Sequence, residues 1–212
     1  MKFPVIVLGT GGHAKVLVVS LLASSTQILG FVDPAPFVAG QTIRGILVIG
    51  PDEEIMQYRP DSLQLVNGIG SVGYPQKRIA LFDKFNNKGY TFGIVVHPSA
   101  VIPSDIALGE GAQIMAGAVV QPGCRIGRNV IINTGVCVDH DCDIGDHVHL
   151  APGVTLSGDV SIGEGSHVGT GSTVIQGVRI GKNCIIGAGS LVLKDTADGI
   201  TIAGNPAKVL EK

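Results

Sequence analysis

A strict six-residue repeat runs through the second half of the chain and constrains the fold more than any other feature. An Ile, Leu or Val stands at every sixth position, without an insertion or a deletion. The repeated positions are Val96, Ile102, Leu108, Ile114, Val120, Ile126, Ile132, Val138, Ile144, Leu150, Leu156, Ile162, Val168, Val174, Ile180, Ile186 and Val192. Neither helical nor simple strand periodicity produces this spacing, whereas a hexapeptide β-helix does. We therefore predict a parallel β-helix in which three hexads close one triangular coil of about 18 residues.

The other positions of the hexad indicate a corner in each repeat. Four residues after each aliphatic stands a mostly small side chain, such as Ala118, Cys124 or Ser166. The residue before it is usually Gly and otherwise mainly Asp, Asn or His, which are types that tolerate a positive φ. The predicted corners are Gly111, Gly117, Gly123, Gly135, Gly153, Gly165, Gly171, Gly177 and Gly189, with Asp105, Asn129, Asp141, His147, Asp159, Asn183 and Asp195.

The composition fits a narrow coil and argues against several classes of protein. The chain has 31 glycines, 4% aromatic residues and no tryptophan. A net charge of −2 without a basic run argues against a nucleic-acid partner. Neither a signal peptide nor a stretch long enough for membrane insertion is visible. Cys124, Cys142 and Cys184 occupy the small inward position, so we expect core thiols and a reduced, cytoplasmic location.

The beginning of the chain has the pattern of a nucleotide-binding strand, turn and helix. An apolar strand at Val5–Leu8 runs into Gly9-Thr10-Gly11-Gly12-His13-Ala14-Lys15, and a helix is predicted over residues 16–22. Such a turn can bind an anion at the helix N-terminus, although the third glycine of the dinucleotide fingerprint is absent. A second strand over Ile28–Val32 ends at Asp33, which either binds ribose hydroxyls or only caps a turn before Pro34.

A second glycine turn, Asn67-Gly68-Ile69-Gly70-Ser71, follows a strand predicted over residues 63–66. In a parallel sheet this turn would lie beside the first, at the edge where open α/β sheets bind ligands. The remaining predicted elements are a strand over 46–49, a short helix over 52–58, a helix over 74–87 and a strand over 93–96. We therefore predict an α/β nucleotide-binding-like domain over residues 1–94, a β-helix over 95–193 and a C-terminal cap over 194–212.

Histidines on the β-helix are the candidate chemical groups. His140 stands at a corner between Asp139 and Asp141, where a carboxylate can raise the basicity of the imidazole, although a solvated surface corner is the alternative. His149 and His167 are one coil apart and should stack on one outward face about 4.8 Å apart, a spacing that also suits two metal ligands. His140 and His149 are half a coil apart, so they can share a site only across an interface between prisms, as in a threefold trimer.

Four features of the sequence resemble a known family of enzymes. They are the hexad array, the turn from Gly9 to Lys15, the joint His97-Pro98-Ser99-Ala100 and the ending Gly204-Asn205-Pro206-Ala207-Lys208. Together they resemble the left-handed β-helix acyltransferases over essentially the whole chain. The most similar branch is the sialic-acid O-acetyltransferase-like group, which includes bacterial nucleotide-sugar N-acetyltransferases that make bacillosamine or N-acetylperosamine precursors. The resemblance implies a homotrimer with active sites at the subunit interfaces.

The same resemblance implies roles for individual residues. On the β-helix, His140 matches the catalytic base, and Asp141 matches the acid that supports it. His149 matches a contact to the acetyl-CoA thioester region, and Thr170 and Ala188 match positions that border the pantetheine arm. Some relatives have Glu where this chain has the shorter Asp141, which leaves open whether the carboxylate reaches the ring.

The implied nucleotide-sugar site lies in the first 94 residues. Gly11, Gly12 and His13 match the turn that holds the nucleotide sugar. Asp33 and Gly70 match positions near the base and the ribose.

These observations predict an acetyl-CoA-dependent N-acetyltransferase that acts on the amine of a UDP- or GDP-linked amino deoxy sugar. The expected mechanism has a His general base, no covalent intermediate and no metal. Two alternatives remain: a sialic-acid-type sugar O-acetyltransferase that uses the same base, and a metal-dependent hydratase with His149 and His167 as ligands.

Overall fold

The chain forms two compact units in the computed structural model, which describes residues 3–35 and 38–210. The first, here called the α/β unit, consists of Met1–Gly70 and Gln76–Pro98. The second, here called the β-helix unit, consists of Ser71–Pro75 and Ser99–Lys212. The short segment Ser71–Pro75 therefore groups with the β-helix.

The α/β unit is a mainly parallel sheet with helices. Its elements are β1 (Val5–Leu8), α1 (Gly12–Ala23), β2 (Ile28–Val32), β3 (Thr42–Ile43), β4 (Ile46–Gly50), a 3-10 helix (Asp52–Gln57), β5 (Gln64–Asn67), α2 (Gln76–Asn86) and β6 (Val95–Val96). The strand order is β3-β4-β2-β1-β5, and only the β3–β4 pair is antiparallel. This confirms the predicted α/β fold.

Strand β1 is buried on both faces. All residues of Val5–Leu8 are 0% exposed, as expected for an apolar run in a parallel sheet that helices cover. Leu65 of β5 packs in one cluster with Phe82 and Phe85 of α2. Leu8 and Asn67 are register partners at the ends of β1 and β5, so both glycine turns leave the sheet at the same edge, as predicted.

Two local features of this unit differ from the prediction. Helix α1 begins at Gly12 and not at residue 16, because Gly11 takes an extended N-cap conformation immediately before it. Strand β3 was not predicted, and it forms a hairpin with β4 across Arg44 and Gly45. The φ values of these two residues are 52° and 80°, as a tight hairpin turn requires. An arginine is not a residue type that marks such a turn in a sequence.

The β-helix unit consists of short strands spaced by one hexad. They are β7 (Gln113–Ile114), β8 (Val119–Val120), β9 (Arg125–Ile126), β10 (Ile131–Ile132), β11 (Cys137–Val138), β12 (Asp143–Ile144), β13 (His149–Leu150), β14 (Thr155–Leu156), β15 (Ser161–Ile162), β16 (His167–Val168), β17 (Thr173–Val174), β18 (Arg179–Ile180), β19 (Ile185–Ile186), β20 (Leu191–Val192), β21 (Thr201–Ala203) and β22 (Lys208–Val209).

Strands one coil apart pair in parallel and build three ladders. These are β7-β10-β13-β16-β19-β21, β8-β11-β14-β17-β20 and β9-β12-β15-β18, and β22 pairs antiparallel with β21. The register joins residues 18 apart, such as Arg125 and Asp143. Every hexad aliphatic from Ile114 to Val192 is at most 3% exposed. The predicted inward column of aliphatics and the parallel β-helix are therefore confirmed.

The predicted corners are confirmed in all but two hexads. The nine predicted glycines have positive φ, and so do Asn129, Asp141, His147, Asp159 and Asn183. Asp105 and Asp195 lack a positive φ, so the prediction is wrong at these two positions. Both lie outside the run of regular ladder strands. Asp195 accepts the N–H of Arg179, which lies 16 residues before it, whereas contacts between regular coils join residues 18 apart.

A different column of glycines allows the coils to approach each other. Gly127, Gly145, Gly163 and Gly181 each follow an inward aliphatic on the same ladder. A Cβ at Gly163 would lie 2.6 Å from the carbonyl carbon of Gly181, which is closer than real Cβ atoms come. These glycines are therefore required by space and not by a positive φ.

The thiols behave as predicted from their positions in the hexad. Cys124, Cys142 and Cys184 are buried free thiols in the core, and Cys137 is free and exposed. Burial raises the pKa of Cys142 to about 12, which leaves this thiol protonated and unreactive. In the part of the chain that the structure describes, no helix has the length and apolar character to cross a membrane.

The two kinds of glycine predict different responses to substitution. Gly163→Ala should lower the free energy of unfolding by about 1–3 kcal/mol, because the added methyl group meets the next coil. Gly135→Asn should change it by less than about 0.5 kcal/mol, since Gly135 has a φ of 67°, open space around it and Asn at the equivalent corners 129 and 183. Denaturant unfolding of both variants measures this, and equal losses would contradict the distinction.

Candidate active site

His140 stands at the corner between β11 and β12, and its partner is the next residue. The Nδ1 atom of His140 lies 2.8 Å from Oδ2 of Asp141. Because a carboxylate only accepts, Nδ1 carries the proton and Nε2 keeps a free electron pair. Asp141 thus reaches the ring, which answers the question that its shorter side chain raised.

Glycines of the coils on either side make room for this pair. A Cβ at Gly158 would lie 2.5 Å from both Cε1 and Nε2 of His140, so the ring occupies the space that a side chain would fill. A Cβ at Gly123 would clash with Oδ1 of Asp141. Gly123 and Gly158 were not predicted as site residues, since their positions in the hexad mark only fold requirements.

The surroundings of His140 make it a stronger base than an isolated imidazole. The hydrogen bond to Asp141 raises the pKa of His140, and the nearby charges of Asp139 and Asp159 act in the same direction. The Asp139 carboxylate also accepts the backbone N–H of His140 at 2.8 Å. The His140 side chain is 53% exposed, so the ring borders solvent.

The prediction that His149 and His167 stack on one face is confirmed, and the structure adds that the two rings are covered. The two residues pair in register on β13 and β16, with ring centroids 4.9 Å apart at 81°. They are only 8% and 9% exposed. One covering element is the segment Ser71–Pro75, since the Ser71 carbonyl and hydroxyl each lie 3.0 Å from Nδ1 of His149.

Both ring nitrogens of His149 are engaged. The Ser71 carbonyl only accepts, so Nδ1–H of His149 donates to it at 3.0 Å. The other nitrogen, Nε2, lies 3.2 Å from Nδ2 of Asn133 and accepts from this amide. His149 is thereby held as one neutral tautomer.

A cleft of about 480 Å³ opens beside the two rings. Its lining residues are Ser71, Val72, Gly73, His149, Ala151, Pro152, His167, Gly169, Thr170, Ile185, Ile186, Gly187 and Ala188. The predicted donor-site residues His149, Thr170 and Ala188 therefore line one cavity. Gly169 and Gly187 also line it, but a Cβ on either glycine would point into the neighbouring coil, 2.6 Å from Ala188 N and 2.7 Å from Ala203 Cβ respectively.

The two glycine turns of the α/β unit lie side by side. The N–H of Gly68 donates to the Leu8 carbonyl at 2.8 Å. A Cβ at Gly70 would lie 3.2 Å from the Cβ of His13, whereas the space beside Gly11 and Gly12 is open. The predicted residues Gly11, Gly12, His13 and Gly70 thus border one region.

A buried arginine supports the second turn from behind. Arg78 of α2 is 1% exposed, and its Nη1 donates to the carbonyls of Asn67 and Ile69 at 2.9 and 2.7 Å. The amide of Asn67 donates in return to the Arg78 carbonyl, and its oxygen accepts the N–H of Ile69. Burial lowers the pKa of Arg78 to about 9. The sequence pattern did not indicate this role, because the residue lies on a helix and not in a motif.

Asp33 is bound to the first turn. Its Oδ2 accepts the N–H and the hydroxyl of Thr10 at 2.9 and 2.6 Å, and Oδ1 accepts the N–H of Ala35 at 2.9 Å. Partial burial alone would raise the pKa of Asp33, but these hydrogen bonds outweigh it and hold the pKa below the ordinary value. The carboxylate therefore braces the turn, and the one lone pair that remains, on Oδ1, can accept a hydroxyl group.

A second cavity of about 490 Å³ adjoins this turn, and the sequence analysis did not predict it. Thr10, Lys15 and Arg44 line it, together with Val38, Gln41, Thr42, Ile43 and Val48. Two cations beside an open glycine turn suit a phosphate-bearing ligand. Arg44 enters the cavity through the hairpin of β3 and β4, which the sequence pattern did not reveal.

The metal-dependent alternative gains no support from this geometry. Within residues 3–35 and 38–210, no group of three or more His, Cys, Asp or Glu side chains is placed to hold a metal ion. His149, one of the two suggested ligands, has both ring nitrogens in hydrogen bonds.

Two protein-family profiles match the sequence. The PglD N-terminal domain matches residues 4–85. The bacterial transferase hexapeptide repeat matches residues 105–140, 123–158 and 159–194. A comparison with curated proteins gave no significant match.

Several solved structures are similar over the whole chain. A histidine-to-asparagine mutant of perosamine N-acetyltransferase from Caulobacter crescentus, in complex with CoA and GDP-perosamine, is 38% identical, with a TM-score of 0.91 and coverage of 100% of this chain and 99% of that one. The acetyltransferase domain of PglB from Neisseria gonorrhoeae, in complex with acetyl coenzyme A, is 34% identical, with a TM-score of 0.90 and coverage of 99% and 100%. WeeI from Acinetobacter baumannii is 26% identical, with a TM-score of 0.86 and the same coverage.

The hydrogen bond between His140 and Asp141 predicts a titration shift. Asp141→Asn should lower the pKa of His140, because the neutral amide no longer stabilises the imidazolium. NMR titration of the His140 ring measures this. Asp143→Asn is the matched control, since Asp143 pairs with Arg125 and should leave the His140 titration in place. Identical titrations in the wild type and Asp141→Asn would contradict the assigned pair.

Proposed function

This chain belongs to the family of left-handed β-helix nucleotide-sugar acetyltransferases, and we propose that it transfers the acetyl group of acetyl-CoA to the amine of a nucleotide-linked amino deoxy sugar. The observation that carries the proposal is the full-length match to an N-acetyltransferase solved with CoA and GDP-perosamine. The paired His140 and Asp141 and the two separate cavities supply the groups that such a reaction needs.

His140 is the proposed general base. A sugar ammonium is no nucleophile until it loses a proton, and Nε2 of His140 has the free electron pair to accept it. The neutral amine attacks the thioester carbon, and the attacking nitrogen releases its second proton to solvent. Collapse of the tetrahedral intermediate then breaks the C–S bond, and the CoA thiolate leaves. The imidazolium, stabilised by Asp141, can return its proton to the thiolate. The thioester is already activated, so a covalent enzyme intermediate is not required.

The cleft of the β-helix unit is the proposed acetyl-CoA site. The pantetheine arm is slender, and Thr170 and Ala188 line the cleft that would hold it. His149 borders the cleft and shapes it, but both of its nitrogens are engaged in hydrogen bonds.

The glycine turns of the α/β unit are the proposed nucleotide-sugar site. Lys15 and Arg44 beside the open turn suit the diphosphate charge, and the helix N-terminus at Gly12 adds backbone N–H groups. Asp33 has one lone pair left for a ribose hydroxyl.

We also propose a homotrimer with active sites at the subunit interfaces, in the cytoplasm. His140 and the cleft beside His149 belong to different parts of the coil, half a turn apart along the chain, so a groove between neighbouring β-helices would bring a base and a thioester together. Free cysteines, one of them exposed, support a reducing compartment.

A turnover assay with acetyl-CoA and a panel of acceptors tests the proposal. The wild-type protein should release CoA and form an amide with UDP- or GDP-linked 4-amino deoxy sugars. His140→Ala should keep the fold and lose turnover by about 10²- to 10⁴-fold. Near wild-type turnover in this variant would show that His140 is not the general base. Preferred acetylation of sialic acid would support the O-acetyltransferase, and a metal-dependent reaction without acetyl-CoA would support the hydratase.

Asp33→Ala tests the proposed acceptor site. Nucleotide-sugar affinity should fall while acetyl-CoA affinity stays unchanged, as measured by titration calorimetry with each ligand. Thr10→Val is the matched control, because it removes one hydrogen bond to Asp33 but keeps the carboxylate. It should weaken nucleotide-sugar binding less than Asp33→Ala does. Equal loss of both ligands in Asp33→Ala would show that the site is wrongly assigned.

A further inference from the structure

His167 lines the cleft, but the proposed reaction does not use this residue. Its ring is 9% exposed. Its Nδ1 atom is buried and has no hydrogen-bond partner among the described residues. Buried polar atoms in native proteins are nearly always hydrogen-bonded, so an exception at a ligand cleft requires an explanation.

The burial of Nδ1 determines which nitrogen of His167 carries the proton. Burial lowers the pKa of His167 and therefore favours the neutral ring, which has a single N–H. An orphaned buried N–H is rarer than an orphaned buried acceptor, which places the proton on Nε2. Unlike Nδ1, Nε2 is not a buried orphan, and the ring lines the cleft. The available N–H of His167 therefore faces the cleft.

His149 presents the opposite arrangement. Its Nδ1–H donates to the Ser71 carbonyl, and its Nε2 accepts from Asn133. Neither nitrogen is left to donate to a ligand. Of the two stacked rings, only His167 has a donor to offer.

The position of His167 is set by its strand neighbours and the ring by its contact with His149. Residue 167 pairs in register with His149 on β13 and with Ile185 on β19. The edge-on contact with His149, at 4.9 Å between centroids, restricts rotation of the ring. A donor held in this way loses little entropy when a ligand binds.

We propose that Nε2–H of His167 donates a hydrogen bond to a carbonyl oxygen of the acyl-pantetheine arm in the cleft. The acceptor is either the thioester carbonyl or an amide carbonyl of the arm. Both are carbonyl oxygens that accept a hydrogen bond, and they lie at different positions along the arm. This inference rests on the proposed acetyl-CoA site. It makes His167, and not His149, the residue of the stacked pair that donates to the ligand.

The tautomers can be measured without a ligand. Two-bond ¹H–¹⁵N spectra of the imidazole rings should show the Nε2–H form for His167 and the Nδ1–H form for His149. An Nδ1–H form of His167, or a charged ring at pH 7, would overturn the inference whatever the protein's activity.

Ligand binding gives the second test, by titration calorimetry with CoA and with acetyl-CoA. His167→Phe keeps an aromatic ring but removes both nitrogens, so Kd should rise roughly 3- to 10-fold for the ligand that accepts the bond. His167→Gln places an amide near Nε2 and should recover most of the affinity. His167→Asn, which mimics Nδ1, should not recover it. Circular dichroism checks that each variant is folded.

The outcomes distinguish the proposed role of His167 from the proposed acetyl-CoA site on which that role depends. A loss for acetyl-CoA alone identifies the thioester carbonyl as acceptor, and an equal loss for both ligands identifies an amide of the arm. Unchanged affinity of His167→Phe for both ligands, with tight wild-type binding, would overturn only the role of His167. Failure of the wild-type protein to bind either ligand would overturn the acetyl-CoA site and this inference together.

Discussion

The stacking of inward aliphatic side chains, one coil above another, is the constraint on which the rest of the β-helix depends. Each hexad contributes one Ile, Leu or Val to a closed interior, and a shift of register by one residue would turn this column outwards. Because the register is fixed, side chains one coil apart must meet. That rule brings His149 against His167, and it sets Asp141 above Gly123 and His140 below Gly158.

The same scaffold gives its histidines opposite properties through their surroundings. His140 is exposed at a corner, and the Asp141 carboxylate raises its pKa, as suits the proposed general base. His167 is buried in the cleft, and burial lowers its pKa, as suits a neutral hydrogen-bond donor. Position on the coil thus fits one residue type to the two proposed roles of base and hydrogen-bond donor. The fold requires aliphatics only on the inside, so the corners and outer faces are free to carry chemistry.

Much of the fold could be predicted, because the six-residue repeat is visible at every hexad of the β-helix sequence. Val5–Leu8 and the two glycine turns could also be predicted. Buried parallel strands need apolar residues, Gly9 has a positive φ, and a Cβ at Gly68 would clash with the Leu8 carbonyl. The burial of His149 could not be predicted, because it depends on the distant segment Ser71–Pro75 folding over it. The cavity beside Lys15 and Arg44 depends on a hairpin whose turn contains an arginine with positive φ, and no sequence rule anticipates that residue there. The contacts of Gly158 and Arg78 could not be predicted either, because they join residues that are distant in the sequence. The hexad or helix pattern around each residue indicates only local structure.

The most direct test of the central claim is a crystal structure of the protein with CoA and a nucleotide-linked amino sugar bound together. The account predicts that the sugar amine lies about 2.6–3.2 Å from Nε2 of His140, near enough to give up its proton, with the CoA sulfur beside the same nitrogen atom of the sugar. A complex in which the amine is distant from His140, with the ring in bulk solvent and no neighbouring subunit near it, would contradict the account.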